Sequence, residues 1–165
     1  MSSDASEVLA IIRDEPKRSR NVADAFLQAQ CLLEMHYTGH PSPLLEVCPQ
    51  LRGQTLSETE AAEINQALLA FVEEVPAHEC VPMAIKILAL PKNKSLRRFF
   101  VDQLRKHVAW RSSTVVFQLL LALEDLGEAV FLDAQGRTIQ FLSINAVEVN
   151  LDAANRYLNQ HDKSR

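Results

Sequence analysis

Residues 81–90 (VPMAIKILAL) and 114–123 (TVVFQLLLAL) are so rich in apolar side chains that neither segment can face water over much of its surface. Between them lies a basic, amphipathic run, residues 96–110, whose apolar positions recur every three or four residues. Apolar helices of this kind are covered by other helices. The pattern predicts an all-α fold of stacked antiparallel helix pairs, arranged either as an open right-handed superhelix or as a compact bundle.

A chain of 165 residues, 47% hydrophobic and 23% charged, can bury a core without disulfides or metal staples, which predicts a single helical domain over 1–165. Acids stand near the N-terminus where a secretory leader carries bases, and the longest apolar stretch is shorter than the ~20 residues a membrane helix needs. Cys31, Cys48 and Cys80 are odd in number, as expected of reduced thiols in the cytoplasm.

Reading along the chain, Val8, Leu9, Ile11 and Ile12 mark a first helix that must end before Pro16, within an N-terminal section of residues 1–18. A second helix over residues 21–36 places Val22, Phe26, Ala29, Leu33 and Tyr37 on one stripe and closes at Gly39; a short helical piece follows at 43–47. Ser57 and Glu60 form a capping box for a helix reaching about Val75, and Pro82 suits the first turn of the next. Ser95 and either Ser112 or Ser113 are the expected caps of the two helices after it.

Ser19, Ser57 and Ser95 stand 38 residues apart, each ahead of a helix and then a more apolar stretch. This periodicity resembles the ~40-residue helix pairs of HEAT arrays, and the resemblance implies a short, degenerate HEAT-like stack over residues 19–126. The pattern changes in residues 127–160. Residues 129–132 and 137–142 flank a turn at Gly136 and read either as a small β-hairpin, with Ile139 and Phe141 on one face, or as further helix. Asn150 or Asp152 is expected to cap a last helix, with residues 161–165 as a frayed tail.

Catalytic signatures are missing from the sequence. It has no serine-nucleophile elbow, no phosphate-binding glycine loop and no metalloprotease helix motif, so no catalytic residue and no cofactor is assigned. Cys31, His36, His40 and Cys48 offer metal-ligand chemistry but lack the close Cys-x-x-Cys spacing of a zinc knuckle, so no metal is assigned to them. A thiol or metal enzyme built on Cys31 and His36 is the remote alternative. The adjacent carboxylates Glu73–Glu74 and Glu124–Asp125 point apart on a helix and suit a solvated face rather than an acid–base pair.

Charge is segregated. From Gly53 to Ile85 there is no lysine or arginine, while Glu58, Glu60, Glu63, Glu73, Glu74 and Glu79 are all acidic. The next twenty residues reverse the sign: Lys92, Lys94, Arg97, Arg98, Arg105, Lys106 and Arg111 face a single acid, Asp102. The acidic and basic helices either lie side by side and neutralise one another or present separate surfaces. Net charge of −4 disfavours nucleic acid and anionic membranes as partners. A small, acidic, helical chain is similar in style to the cytoplasmic immunity proteins that bacteria pair with their toxins. That resemblance implies a non-enzymatic protein-binding module whose acidic face (Glu58, Glu60, Glu63, Glu73, Glu74) occupies a basic site, with Tyr37 and Trp110 as anchors. The alternative is a nucleic-acid-binding helical repeat using the basic run at 92–111.

Overall fold

The computed structural model describes residues 3–14, 22–139 and 143–163. Among them every regular element is helical, and no helix is long and apolar enough to cross a membrane. Contacts divide the chain into two compact units, Met1–Pro91 and Lys92–Arg165, and this division falls inside the stretch 19–126 that the periodicity reads as one stack.

The first unit holds α1 (Ser3–Asp14), α2 (Val22–Thr38), α3 (Glu58–Glu74) and α4 (Val81–Ala89), with 3-10 turns at Pro43–Glu46 and Pro49–Leu51. Helix α1 packs on α2 and α3 on α4, while α1 also meets α3 and α2 meets α4. The partner of α2 is therefore α1, and the block after Ser19 holds one long helix instead of a pair. Pro41, Pro43 and Pro49 explain this, because each removes an amide donor and biases the residue before it away from helix. Gly39, at φ +69°, turns the chain out of α2.

Helix α3 starts as its sequence requires: Glu60 N–H donates to Ser57 Oγ at 3.2 Å, and Ser57 N–H donates to the Glu60 carboxylate at 2.8 Å. Ala61, Ile64, Leu68, Phe71 and Val72 form its buried stripe. Phe71 meets Phe26 of α2 edge to face, centroids 4.9 Å apart, and also touches the His78 ring. The connection after α2 is tied back by Ser42, which donates to the Glu34 carboxylate and accepts from Leu44 N–H at 3.1 Å.

The second unit holds α5 (Arg97–Ala109), α6 (Ser113–Asp125) and α7 (Val147–Lys163), each packed on the other two. Several local expectations are corrected here. Asn93, not Ser95, caps the entry to α5: its side chain accepts from Ser95 N–H, opening a 3-10 turn, Lys94–Leu96, that runs straight into the helix. Ser112 stands at the cap of α6 but its side chain makes no capping bond.

No strand forms among the described residues. Leu132 and Thr138 make one isolated antiparallel bridge around Gly136, so the hairpin is not seen; Phe141 lies outside the described residues. Residues 134–138 are exposed, and a lone ribbon without an apolar face to pack is marginal. Nor do residues 128–139 form a helix. Asn150 is not a cap. It lies within α7, almost fully buried, and its amide donates to Ser143 O at 2.9 Å. Of the expected tail, residues 161–163 belong to α7, where His161 and Asp162 meet Arg97 and Arg105, and residues 164–165 lie outside the described residues.

His107, on the inner face of α5, is fully buried beside the Trp110 ring, and neither of its nitrogens has a hydrogen-bond partner among the described residues. Burial, and then Lys106, hold its pKa below the ordinary 6.5. The folded state therefore takes up this proton less readily than the unfolded chain. Its contribution to stability is complete above about pH 6.5 and is lost as pH falls toward the lowered folded value. Urea titrations of His107→Leu should show a shallower fall in stability below that pH than the native chain; equal slopes would show that another group carries the dependence.

Candidate protein-interaction surface

The end of α2 and the start of α3 bring together several of the polar residues singled out from the sequence. Tyr37 is 37% exposed, and its hydroxyl accepts from Asn65 Nδ2 at 2.6 Å. That amide also donates to Ala61 O at 2.9 Å, which fixes its orientation on α3. Beside Tyr37, His36 donates from Nδ1 to Leu56 O at 3.1 Å, and its Nε2 lies 3.5 Å from the Glu58 carboxylate. The two rings meet edge to face. A shallow cleft of about 200 Å³, lined by Met35, His36, Thr55 and Leu56 among others, opens beside them.

The five acids assigned to one face do not form a single patch. Glu58 is almost wholly exposed beside His36, Glu63 is partly exposed one to two turns further along α3, and Glu60 is engaged in the capping box. Glu73 and Glu74 sit at the other end of the helix, about 20 Å along its axis at ~1.5 Å per residue. Exposed Ala62, Gln66 and Ala70 separate the two clusters.

The basic run is largely engaged within its own unit. Arg97 makes a two-pronged contact with Glu128, at 2.6 and 2.9 Å, and Arg105 meets both Asp102 and Asp162. Arg98 lies 3.8 Å from Asp102, and Arg111 pairs with Glu148. The arginines thus find carboxylates inside their own unit. Lys92, Lys94 and Lys106 remain exposed without an ion pair among the described residues.

Glu128 is the centre of a network that the sequence reading missed. It also accepts from the Tyr157 hydroxyl at 2.9 Å, and Arg97 donates to His161 Nε2 at 3.0 Å. Arg97 holds the Glu128 carboxyl below its ordinary range, whereas burial, with Glu128 adding to it, raises Tyr157 to about 12. Tyr157 and His161, four apart, share one face of α7 by helical spacing. Nothing in the local sequence links them to Glu128, which follows a helix end closed by Gly127 at φ +88°.

The thiol and imidazole set does not assemble. Cys31 and Cys48 are buried, with pKa raised chiefly by burial, His36 is tied to Leu56, and His40 is exposed. Among the described residues no group of three or more histidine, cysteine or acidic side chains is placed to hold a metal ion. Thiols of this kind are poor nucleophiles, since the reactive form is the thiolate. No protein-family model, curated protein or solved structure matches this chain.

Proposed function

We propose that this chain is a non-enzymatic protein-binding module that seats the surface around Tyr37, Glu58 and Glu63 on a basic patch of a partner protein. The observation that carries the reading is an asymmetry of charge use. Arg97, Arg98, Arg105 and Arg111 are engaged by carboxylates of their own unit, while Glu58, its side chain 94% exposed, stands at the surface beside an exposed, tethered aromatic ring, and Glu63 is partly exposed further along the same helix. Tyrosine is favoured as a binding anchor because it offers a large rigid area with a polar tip, and surrounding acids steer a basic partner into register. A toxin's basic catalytic cleft is one such partner, as the immunity-type resemblance implies. The contacts of α1 with α3 and α2 with α4 support a HEAT-like stacking of helix pairs in the first unit. Three buried free cysteines suit a reducing cytoplasm.

Binding is tested by placing a photo-crosslinking residue at Tyr37 in cells and identifying what is captured, with and without Glu58→Lys and Glu63→Lys together. Glu60 is left intact because it caps α3. Capture of a protein with a basic face, falling roughly tenfold or more in the charge-reversed chain and weakening with salt, is the expected result. Capture unchanged by the reversal would reject the acidic-surface mechanism. Retention on heparin through Lys92, Lys94 and Lys106, without protein capture, would favour the nucleic-acid alternative.

A further inference from the structure

The Leu56 carbonyl fixes where the proton sits on His36. A carbonyl can only accept a hydrogen bond, so Nδ1, 3.1 Å from it, carries the hydrogen. In the neutral ring Nε2 is then an acceptor, and 3.5 Å from it stands the Glu58 carboxylate, which also only accepts. Two acceptors set side by side are joined only by a donor between them. Residues 53–85 hold no lysine or arginine to supply one, and among the described residues the ionisable side chain within ion-pair distance of Glu58 is His36 itself.

The same imidazole lines the cleft of about 200 Å³ bounded by Met35, Thr55 and Leu56. Sites for drug-sized ligands enclose about 300–1,000 Å³, so this cleft suits a single long side chain. Met35 and Leu56 offer an apolar wall to an alkyl stem, and the thioether adapts to its shape. The head must bring N–H donors for two acceptors belonging to different groups. A guanidinium does so with donors in a planar fork, leaves water more readily than an ammonium, and finds an aromatic surface in Tyr37, whose ring meets His36 edge to face. We infer that this cleft receives one arginine side chain of the partner protein, its stem along Met35 and Leu56 and its guanidinium shared between His36 Nε2 and the Glu58 carboxylate. The inference rests on the protein-binding reading and adds to it which side chain of the basic patch is seated, and where.

The test is an NMR titration of the full chain with a blocked Ala-Arg-Ala peptide and with its citrulline and lysine counterparts. The arginine peptide should shift the Met35 methyl and the Thr55 and Leu56 amides together with the His36 Nε2 signal, saturating in the millimolar range on the order expected of one seated side chain. Citrulline, similar in shape but neutral, should bind roughly tenfold more weakly, and lysine more weakly than arginine. Thr55 is exposed, so Thr55→Trp fills the cleft without altering any charge and should abolish the shifts. Glu58→Gln should weaken binding roughly fivefold, the scale of one exposed charge contact. Unchanged amide signals in the rest of the chain show that both variants fold. The inference is overturned by an absence of saturable shifts at the cleft, by citrulline or lysine binding as well as arginine, by full binding to Thr55→Trp, or by a free chain whose His36 carries protons on both nitrogens at neutral pH. Any of these, with salt-sensitive capture at Tyr37 intact, rejects the arginine seat and leaves the protein-binding reading standing. A seated peptide in a chain that captures no protein rejects that reading instead.

Discussion

Replacing Phe71 with alanine should destabilise the first unit by about 3–5 kcal/mol, the range for truncating a buried aromatic in a close-packed core. Phe71 is 2% exposed, and its ring joins α3 to Phe26 of α2 and to His78 ahead of α4. Beyond lost area, the edge-to-face contact with Phe26 is worth about 0.5–1.5 kcal/mol. The consequence reaches the surface, because the α2–α3 packing sets Tyr37 against Asn65 and His36 against Glu58. Chemical denaturation should register the loss, and amide exchange should rise at the end of α2. A change below 1 kcal/mol would mean that the core collapses around the gap and that Phe71 is not its keystone.

The second large effect is expected at Glu128. Its ion pair with Arg97 is partly exposed, with side chains 43% and 23% accessible, and solvent screening limits such a pair to ~0–1 kcal/mol. Tyr157, only 6% exposed, adds to that: Glu128→Ala deprives a buried hydroxyl of its acceptor and leaves Arg97 with one fewer partner. Together these should cost about 2 kcal/mol. Glu128→Gln, which keeps an acceptor oxygen, should cost less. The pH dependence has a definite sign. Because the folded carboxyl titrates below its ordinary value of 4.5, its stabilisation is present above that pH and lost as pH falls through the lowered value. Tyr157 works at the other extreme. With its folded pKa raised from 10.0 to about 12, stability falls as pH rises past 10, where the unfolded phenol ionises first. Acid unfolding curves of native chain and Glu128→Gln that superimpose would contradict the first assignment.

Much of the helical framework was legible because helix signals are local. The Ser57–Glu60 box, Pro82 in a first turn and Gly39 at a helix end act within four residues, and each operates as read. Errors arose where a neighbouring group outcompeted the residue that the local signal favoured. Ser95 and Asn93 are both competent caps, and the 3-10 turn selects Asn93. Asn150 has the right chemistry for a cap but is drawn inside α7 by Ser143 O. Alternation around Gly136 resembles a hairpin, yet only one bridge forms there among the described residues.

Sequence alone determined that this chain is helical, where most of its helices start and stop, and which stripe of each is apolar, because those properties follow from 3.6-residue periodicity and near-neighbour sterics. Tertiary structure decided which charges are engaged. Arg97 finds Glu128 thirty-one residues away, Arg111 finds Glu148 at thirty-seven, and Trp110 is left at the surface although it follows an apolar helix face. Ion pairing and exposure depend on which surfaces meet in space, and no periodicity along the chain encodes a contact made by folding back over that distance.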